Sequence, residues 1–356
     1  KNIRVINLEQ KSIVENSNKI RAIIQGVWNF KAKSNLERIL EEYSPDDTIV
    51  HLHLWQKALS GSIIKAINKK GFKSVFTMHH YFMACPNGGF FNYKKNKICD
   101  HKCMGIKCIL TDCDSRNYFY KVWRVVRLFI ERNIALSTKT IRNYFYISNL
   151  GKNALVPYLN ENSKYYYIPN PIDIKKASLQ KIGKNKYYVY IGRLSREKGV
   201  HLLATVAKKL NLNIVFVGDG DCKSDILNIY PNAIVTGWLN KNEVDKYLMN
   251  SRALIMPSLW YEGMPLSVME AQARGIPVIV SDTCAANEII ESDKNGYLFK
   301  NNDEYDLEKI ITKINDNNLL EKLSAEAYDN FWDKDYSLNA HVNNIIKAYN
   351  EILESN

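Results

Sequence analysis

The feature that most limits the fold of this chain is the alternation of short apolar segments with segments of helical spacing. In the first half, Thr48–Leu54 and Lys73–Met78 have the composition of strands, and the helical segment Ser62–Lys69 separates them. In the second half, strand-like Tyr187–Ile191 precedes the helical segment Gly199–Leu210. Strands that alternate with helices form a parallel sheet wound in βαβ units. The sequence therefore predicts an α/β protein.

The length of 356 residues exceeds one ordinary core and predicts two domains. We place the first domain at residues 1–170, the second at 171–336 and a last helix at 337–356. The linker is Pro169–Asp173, where two prolines fix an extended bend. Three further strands are predicted for the first domain, at Lys1–Leu8, Ile134–Ser137 and Lys164–Ile168. The final strand of the second domain is predicted at Val278–Ser281.

The stretch Tyr261–Gly275, YEGMPLSVMEAQARG, joins a turn to a short buried helix. The first amides of a helix are unpaired, so the backbone of Gly263–Leu266 offers donors to an anion such as phosphate. Glu262 and Glu270 flank this region eight residues apart. Carboxylates cannot bind phosphate, but they accept hydrogen bonds from hydroxyl groups. A ligand with phosphate at its centre and hydroxyls at both ends is a nucleotide sugar.

Two further motifs precede this stretch, each at a predicted junction of strand and loop. One runs from Gly192-Arg193-Leu194 to Glu197-Lys198-Gly199, and the other is Val217-Gly218-Asp219-Gly220. With the two glutamates, these motifs resemble the retaining glycosyltransferases of family 4, of the bacterial envelope polysaccharide type. The resemblance covers nearly the whole chain. It implies the GT-B fold, in which two Rossmann-like domains face a cleft and the last helix crosses back to the N-terminal domain. It also implies a further strand and a Gly-Gly loop ahead of Lys1.

The resemblance assigns roles to the residues that match the family's motifs. Arg193 and Lys198 bind the donor diphosphate and stabilise the charge that develops on it. Glu262 holds the hydroxyls of the donor sugar, and Glu270 accepts from the ribose. The remaining donor-binding candidates are Gly192, Gly218, Asp219, Gly220, Trp238, Gly263, Met264, Pro265 and Leu266. No catalytic metal or other cofactor is implied, although Asp219-Gly220-Asp221 looks like a D-x-D metal motif.

His79 follows a predicted strand of the first domain, at the edge where an open α/β sheet places its ligand crevice. It matches the histidine of the family's T-x-H-D pattern, whereas His80 replaces the acid. His79 is therefore a candidate to hydrogen-bond the donor, and the alternative is an ordinary histidine at a strand end. His51 and His53 lie on one face of their strand and are weaker candidates for the acceptor side.

A cluster of five cysteines occupies residues 85–113, and its spacing matches no standard zinc knuckle. The five are Cys85, Cys99, Cys103, Cys108 and Cys113. One interpretation is a structural zinc bound by four of these thiolates, with His101 as a further candidate. Reduced cysteines in an irregular loop are a second interpretation, and disulfides are a third.

The segment 116–132 combines an apolar stripe at helical spacing with several basic residues. The stripe is Phe119, Val122, Trp123, Val126, Phe129 and Ile130, and the cations are Arg116, Lys121, Arg124, Arg127 and Arg132. Such a helix can pack its stripe on the sheet and leave the arginines in solvent. It can equally lie on an anionic membrane surface.

The composition, 46% hydrophobic and 24% charged, is globular, and the net charge of +12 favours an anionic partner. No RNA-binding signature accompanies the charge, so we expect no nucleic acid partner. The expected activity is transfer of a hexose, with retention, from a UDP- or GDP-sugar to a glycan or lipid-linked glycan of a bacterial capsule or O-antigen. The expected location is the cytoplasm or the inner face of the plasma membrane. The alternatives are a nucleotide-sugar epimerase and a catalytically silent nucleotide-binding subunit.

Overall fold

A computed structural model describes residues 3–8, 10, 12–13 and 15–355. The first sheet contains four parallel strands in the order β1, β2, β5, β6. These strands are β1 (Ile49–Leu52), β2 (Lys73–Thr77), β5 (Asn143–Tyr146) and β6 (Lys164–Tyr167), and β3 (Phe91–Asn92) pairs with β4 (Lys97–Ile98) in a small antiparallel hairpin. The helices are α1 (Lys19–Val27), α2 (Phe30–Leu40), α3 (Ser62–Lys70), α4 (Ile106–Leu110), α5 (Tyr118–Asn133), α6 (Ser137–Thr140) and α7 (Asn149–Leu155).

The second sheet contains six parallel strands in the order β12, β11, β10, β7, β8, β9. They are β7 (Tyr187–Ile191), β8 (Ile214–Val217), β9 (Ile234–Gly237), β10 (Ser251–Met256), β11 (Val278–Ser281) and β12 (Gly296–Phe299). The helices are α8 (Val200–Lys209), α9 (Lys223–Ile229), α10 (Lys241–Met249), α11 (Leu266–Ala273), α12 (Glu304–Ile314), α13 (Asn317–Trp332) and α14 (Leu338–Glu354). The strands of this sheet form the centre of the larger core, because β8, β10 and β11 are buried along their whole length.

The last helix, α14, packs against the first sheet. Ile352 and Ala348 share a buried cluster with Phe145 of β5, and Tyr349 stacks on the Phe145 ring at 5.9 Å. Lys73 of β2 donates hydrogen bonds from its Nζ to the carbonyls of Leu353 and Ser355. The predicted return of this helix to the N-terminal domain is therefore present.

Three predicted strands differ from the structure. Residues 3–8 are not a strand, and Lys1 and Asn2 lie outside the described residues. Ile134–Ser137 does not join the first sheet, because α5 continues to Asn133 and the sheet takes Asn143–Tyr146 in its place. Val278–Ser281 is a buried strand but not the final one, since β12 pairs along it.

The interpretation in which α5 packs its apolar stripe on the sheet and leaves its arginines in solvent is wrong. Phe119 is 70% exposed and Phe129 is 55% exposed, whereas Lys121, Arg127 and Glu131 are buried. Helical spacing identified the stripe correctly, but charged side chains occupy the face that packs on the domain.

Candidate functional site

The candidate site lies where the strand order of the second sheet changes direction. The chain moves from β7 outward through β8 to β9 and then returns to place β10 on the other side of β7. The loops after β7 and β10 therefore start at neighbouring strand ends and run in opposite directions, so that a crevice lies between them. Arg193 and Lys198 follow β7, and Glu262 follows β10, so the topology brings these three predicted residues to one place.

Lys198 and Glu262 form an ion pair, with 2.5 Å between Lys198 Nζ and Glu262 Oε2. Lys198 ends a single turn of 3-10 helix, Arg196–Lys198, after which Gly199 takes a left-handed conformation and α8 begins. Both side chains are mostly buried, at 17% and 13% exposed. The pair joins the first and third sequence motifs, which are 64 residues apart.

The Glu262 carboxylate is held by two more donors from its own loop. Trp260 donates from Nε1 to Oε2 at 2.8 Å, and Ser258 donates from Oγ to the same oxygen at 3.1 Å. Trp260 and Ser258 were not among the predicted site residues. Their positions, two and four residues before Glu262 in a loop, were the available signal.

Arg193 pairs with Glu197, at 2.6 Å between Arg193 Nη2 and Glu197 Oε1, and Ser195 donates to the same oxygen at 2.8 Å. Glu197 is buried, whereas the Arg193 side chain is 56% exposed. The guanidinium is thus anchored at one end and open at the other. Sequence reasoning also missed Glu197 as the residue that positions Arg193.

The helix α11 begins at Leu266, after Pro265, and no side chain in the described part of the chain caps its start. The preceding turn contains Gly263 and the buried Met264, and Leu266 is partly exposed. Glu262 therefore lies directly ahead of backbone amides that can donate hydrogen bonds to an anion.

Gly218 and Gly220 allow the loop after β8 to pack on the loop after β7. Both have positive φ, 145° and 155°. A Cβ at Gly218 would lie 2.0 Å from the carbonyl oxygen of Gly192, and one at Gly220 would lie 2.3 Å from that of Leu194. The Asp219 side chain turns back and accepts from the amide of Gly220 at 2.8 Å. The glycines thus set the shape of the crevice wall.

Glu270 lies inside α11, one to two turns from the crevice. Burial raises the pKa of Glu270, partly offset by the guanidinium of Arg274. Arg274 is itself held by Asp245, at 2.8 Å between Nη2 and Oδ1. Trp238, just after β9, is 68% exposed, so its indole is available to a planar ligand.

His79 lies at the end of β2 in the first domain and is exposed, and its ring stacks on that of His53 at 5.6 Å. The structure gives no contact between His79 and the residues around Glu262. His51 bridges Tyr349 and Thr77 through its two ring nitrogens, at 2.5 and 2.7 Å. His51 therefore has a structural role where α14 packs. His80 directly follows His79 in the chain. Burial lowers the pKa of His80 to about 3, so the His80 ring stays neutral.

The first domain reaches the crevice through an aromatic contact. The rings of Tyr81 and Phe90 lie 6.5 and 6.2 Å from that of Tyr261, which immediately precedes Glu262. Beside it, Glu288 of the second domain accepts hydrogen bonds from the amides of Asn149 and Leu150 at the start of α7. The two domains therefore meet directly beside the Glu262 turn.

Comparison with solved structures defines the class of fold. Sucrose-phosphate synthase from Thermosynechococcus elongatus aligns over 90% of this chain and 77% of its own, with 16% identity and a TM-score of 0.68. Anabaena HepE, solved in complex with UDP, aligns over 90% of this chain and 82% of its own, with 16% identity and a TM-score of 0.63. The chain therefore has the GT-B fold, and the predicted fold class is confirmed.

Residues 171–330 match the family model described as glycosyl transferases group 1. The match covers nearly all of the second domain. A curated relative is the Escherichia coli UDP-Gal:alpha-D-GlcNAc-diphosphoundecaprenol alpha-1,3-galactosyltransferase, 28% identical over 190 residues, which are 46% of this chain and 48% of the relative. The chain spans about half the length of that relative.

Proposed function

We propose that this protein is a retaining glycosyltransferase that moves a hexose from a UDP- or GDP-sugar to a lipid-linked glycan during synthesis of a bacterial surface polysaccharide, a capsule or an O-antigen. The observation that carries the proposal is the Lys198–Glu262 pair at the switch point of the second sheet, beside the start of α11. The group 1 match supports the transfer chemistry. HepE, a structure of the same fold, was solved with UDP, which supports the class of donor.

In this proposal the ion pair opens when the donor binds. The diphosphate lies across the amides ahead of α11 and takes Lys198 Nζ as a partner, together with the open end of Arg193. Glu262 then accepts from the hydroxyls of the donor sugar, while Trp260 and Ser258 keep the carboxylate in place. As the glycosidic bond breaks, negative charge grows on the leaving diphosphate, and the two cations stabilise it most strongly in the transition state.

The nucleoside extends from the diphosphate toward the interior of α11. Glu270 accepts from the ribose hydroxyls, and Trp238 offers a face to the base. The proposal assigns no catalytic step to a metal ion, because Arg193 and Lys198 supply the positive charge at the leaving group. Departure and attack on the same face of the sugar give retention without a protein nucleophile.

The test is a transfer reaction with matched variants. The protein is incubated with UDP-galactose, UDP-glucose, UDP-GlcNAc or GDP-mannose and with GlcNAc-diphosphopolyprenol, and the new glycosidic bond is assigned by NMR. We expect an α-linked product from one of these α-linked donors. Glu262→Ala should form no product, whereas the control Lys209→Ala, which removes a surface lysine, should still form it. An inverted linkage would contradict the retaining mechanism, and conversion of the donor without acceptor would identify an epimerase.

The lipid-linked acceptor is supported by an apolar surface on the first domain. Phe119, Val122, Val126 and Phe129 of α5 are exposed together with Ile106 and Leu110 of α4. The indole of Trp123 donates to the carbonyl of Ile23 at 3.3 Å, and this contact brings α1, with exposed Ile20 and Ile24, alongside α5. We call this set the α5 surface.

The exposed cations Lys19, Arg21, Lys107 and Arg116 lie on or beside the same helices. Exposed aromatic and aliphatic side chains beside cations fit the surface of an anionic bilayer. Among the described residues, none of the α-helices has the length and hydropathy of a membrane span. The α5 surface is therefore proposed to rest on the bilayer, beside a polyprenol-linked acceptor.

Sedimentation with vesicles of phosphatidylglycerol and phosphatidylcholine tests this contact. The double variant Phe119→Ser, Phe129→Ser should lose binding. The control Tyr305→Ser, Leu338→Ser removes two exposed apolar residues of the second domain and should retain it. Equal binding by both double variants, or none by the natural sequence, would remove the membrane contact from the proposal.

A further inference from the structure

The five clustered cysteines come together in space beneath α5. They belong to the segment that contains the β3–β4 hairpin and α4. Cys85, Cys103, Cys108 and Cys113 are buried, whereas Cys99 is half-buried. All seven cysteines of the chain are free, so the disulfide interpretation is wrong for this structure. His101 lies beside the cluster and pairs with Asp100 at 3.0 Å.

The four buried sulfurs form two connected pairs. The thiols of Cys85 and Cys103 lie side by side and interact with each other. Lys121 of α5 joins the other pair, with its Nζ 3.2 Å from Cys113 Sγ and 3.5 Å from Cys108 Sγ. The sulfur of Cys99 faces the backbone amide of His101 and is only half-buried. Burial therefore separates four cysteines from the fifth.

The position of Lys121 favours negative charge on this cluster. The residue is 0% exposed, and the described residues offer its ammonium group two sulfurs and no carboxylate at bonding distance. A buried ammonium is costly unless an anion faces it. Neutral thiols supply none. Four thiolates around a divalent ion carry a net charge of about −2, which Lys121 partly offsets.

We propose that Cys85, Cys103, Cys108 and Cys113 bind one structural Zn²⁺, with Lys121 as the buried counter-charge and Cys99 outside the coordination sphere. Each thiol loses its proton on binding, so the metal replaces protons and no oxidant or reductant takes part. Among described residues, only His201, Cys222 and Asp225 already hold three ligand atoms within 4.8 Å of one another. The four thiolates therefore have to draw inward to the usual Zn–S distance of about 2.3 Å.

The ion would stiffen the part of the first domain that touches the candidate site. Gly89 lies so close to Trp260 that a Cβ there would meet the indole at 2.9 Å, and Phe91 is part of the core of the second domain. Trp260 in turn donates to Glu262. The zinc thus fixes a segment that leads from Cys85 through Gly89 to the tryptophan holding the carboxylate. This inference does not depend on the proposed transfer reaction.

The test measures metal directly on the full chain. Protein purified without chelator is analysed by inductively coupled plasma mass spectrometry, and the zinc is then exchanged for Co²⁺. We expect about one zinc per chain and the visible absorption of Co²⁺ in a tetrahedral thiolate site. Cys108→Ser should lose the zinc and the absorption, whereas Cys99→Ser should keep both.

The exchange on the natural sequence decides the matter even if Cys108→Ser fails to fold. A natural-sequence protein that holds less than about one-tenth equivalent of zinc and gives no thiolate–Co²⁺ absorption would overturn the site. Iron with acid-labile sulfide would overturn the zinc assignment in favour of a cluster. Loss of zinc in Cys99→Ser would overturn the choice of ligands.

Discussion

At the scale of single residues, Lys198 is the group on which the proposed mechanism depends most. Its ammonium is mostly buried and pairs with Glu262 at 2.5 Å. Replacement by alanine removes a cation that acts on the leaving diphosphate, so Lys198→Ala should lower kcat about 100-fold or more. Steady-state kinetics with the best donor measure this effect.

The matched control is Lys209→Ala, because Lys209 also pairs with a carboxylate, that of Glu308, but on an exposed surface. Its kcat should stay within about twofold of the natural sequence. An unchanged kcat in Lys198→Ala, with only KM raised, would mean that Lys198 contributes binding but not transition-state stabilisation.

Gly218 provides a second test, of the crevice wall. Alanine here would place its Cβ 2.0 Å from the Gly192 carbonyl oxygen. Gly218→Ala should therefore lower the free energy of unfolding by about 3 kcal/mol or more, measured by urea denaturation. Gly71→Ala is the control, because φ there is also positive but nothing lies within 4 Å, and it should cost only about 1 kcal/mol. Equal losses would show that backbone strain, and not the contact between the loops, requires glycine at 218.

Several of these residues could be predicted from the sequence for a physical reason. Arg193, Lys198 and Glu262 follow strands whose composition is easy to recognise, and parallel strands end at a common edge. Trp260 was missed because an indole near an acidic residue in the sequence can pack or hydrogen-bond in several ways. Only the folded loop directs its N–H to Glu262.

At the scale of elements, α5 shows the limit of helical periodicity. The spacing identifies two faces, but the neighbours of the helix decide which face is buried. Those neighbours include the cysteine segment, whose Cys108 and Cys113 contact Lys121, and the periodicity of the helix carries no information about them. The strand β5 was missed for a related reason, because its sequence NYFY has no alternation that marks one buried face.

The buried face of α5 also predicts a dependence of stability on pH. Burial raises the pKa of Glu131 from 4.5 to about 8, despite the nearby guanidinium of Arg127. Between pH 4.5 and about 8 the folded state therefore keeps a proton that the unfolded state has already released, and the contribution of Glu131 to stability falls as the pH rises through this window.

Urea denaturation at pH 6, inside this window, and at pH 9, above it, measures the effect. From pH 6 to pH 9, the free energy of unfolding of the natural sequence should fall. Glu131→Gln cannot release a proton, so its free energy of unfolding should fall less, and the difference between the two decreases should be at least about 1 kcal/mol. Glu354→Gln, an exposed position on α14, should follow the natural sequence. Parallel curves for all three proteins would contradict the raised pKa.

At the scale of the whole molecule, α14 ties the end of the chain to the first sheet. Ile352 is 2% exposed in the cluster with Phe145, whereas Ile346 of the same helix is 50% exposed. Ile352→Ala should lower the free energy of unfolding by about 2–5 kcal/mol. Ile346→Ala should change it by less than about 0.5 kcal/mol. Similar values for the two variants would show that α14 does not dock as the structure has it.

The two-domain arrangement was the most predictable property of the chain, because the alternation of strands and helices and the length restrict the choice of fold. The contacts between the domains were less predictable. The aromatic contact of Tyr81 and Phe90 with Tyr261, and the cap that Glu288 provides for α7, depend on how the domains approach each other. No local pattern in the sequence reports that approach.

The most direct test of the account is whether the crevice binds a nucleoside diphosphate through Glu270. Thermal unfolding is measured with UDP, GDP, ADP and CMP for the natural sequence, for Glu270→Ala and for the surface control Glu354→Ala. A ligand at 100 times its Kd should stabilise the folded protein by about 2.7 kcal/mol. We predict stabilisation by one diphosphate, UDP or GDP, in the natural sequence and in Glu354→Ala but not in Glu270→Ala. No shift with any nucleotide, or an equal shift in Glu270→Ala, would contradict the assignment of the donor site.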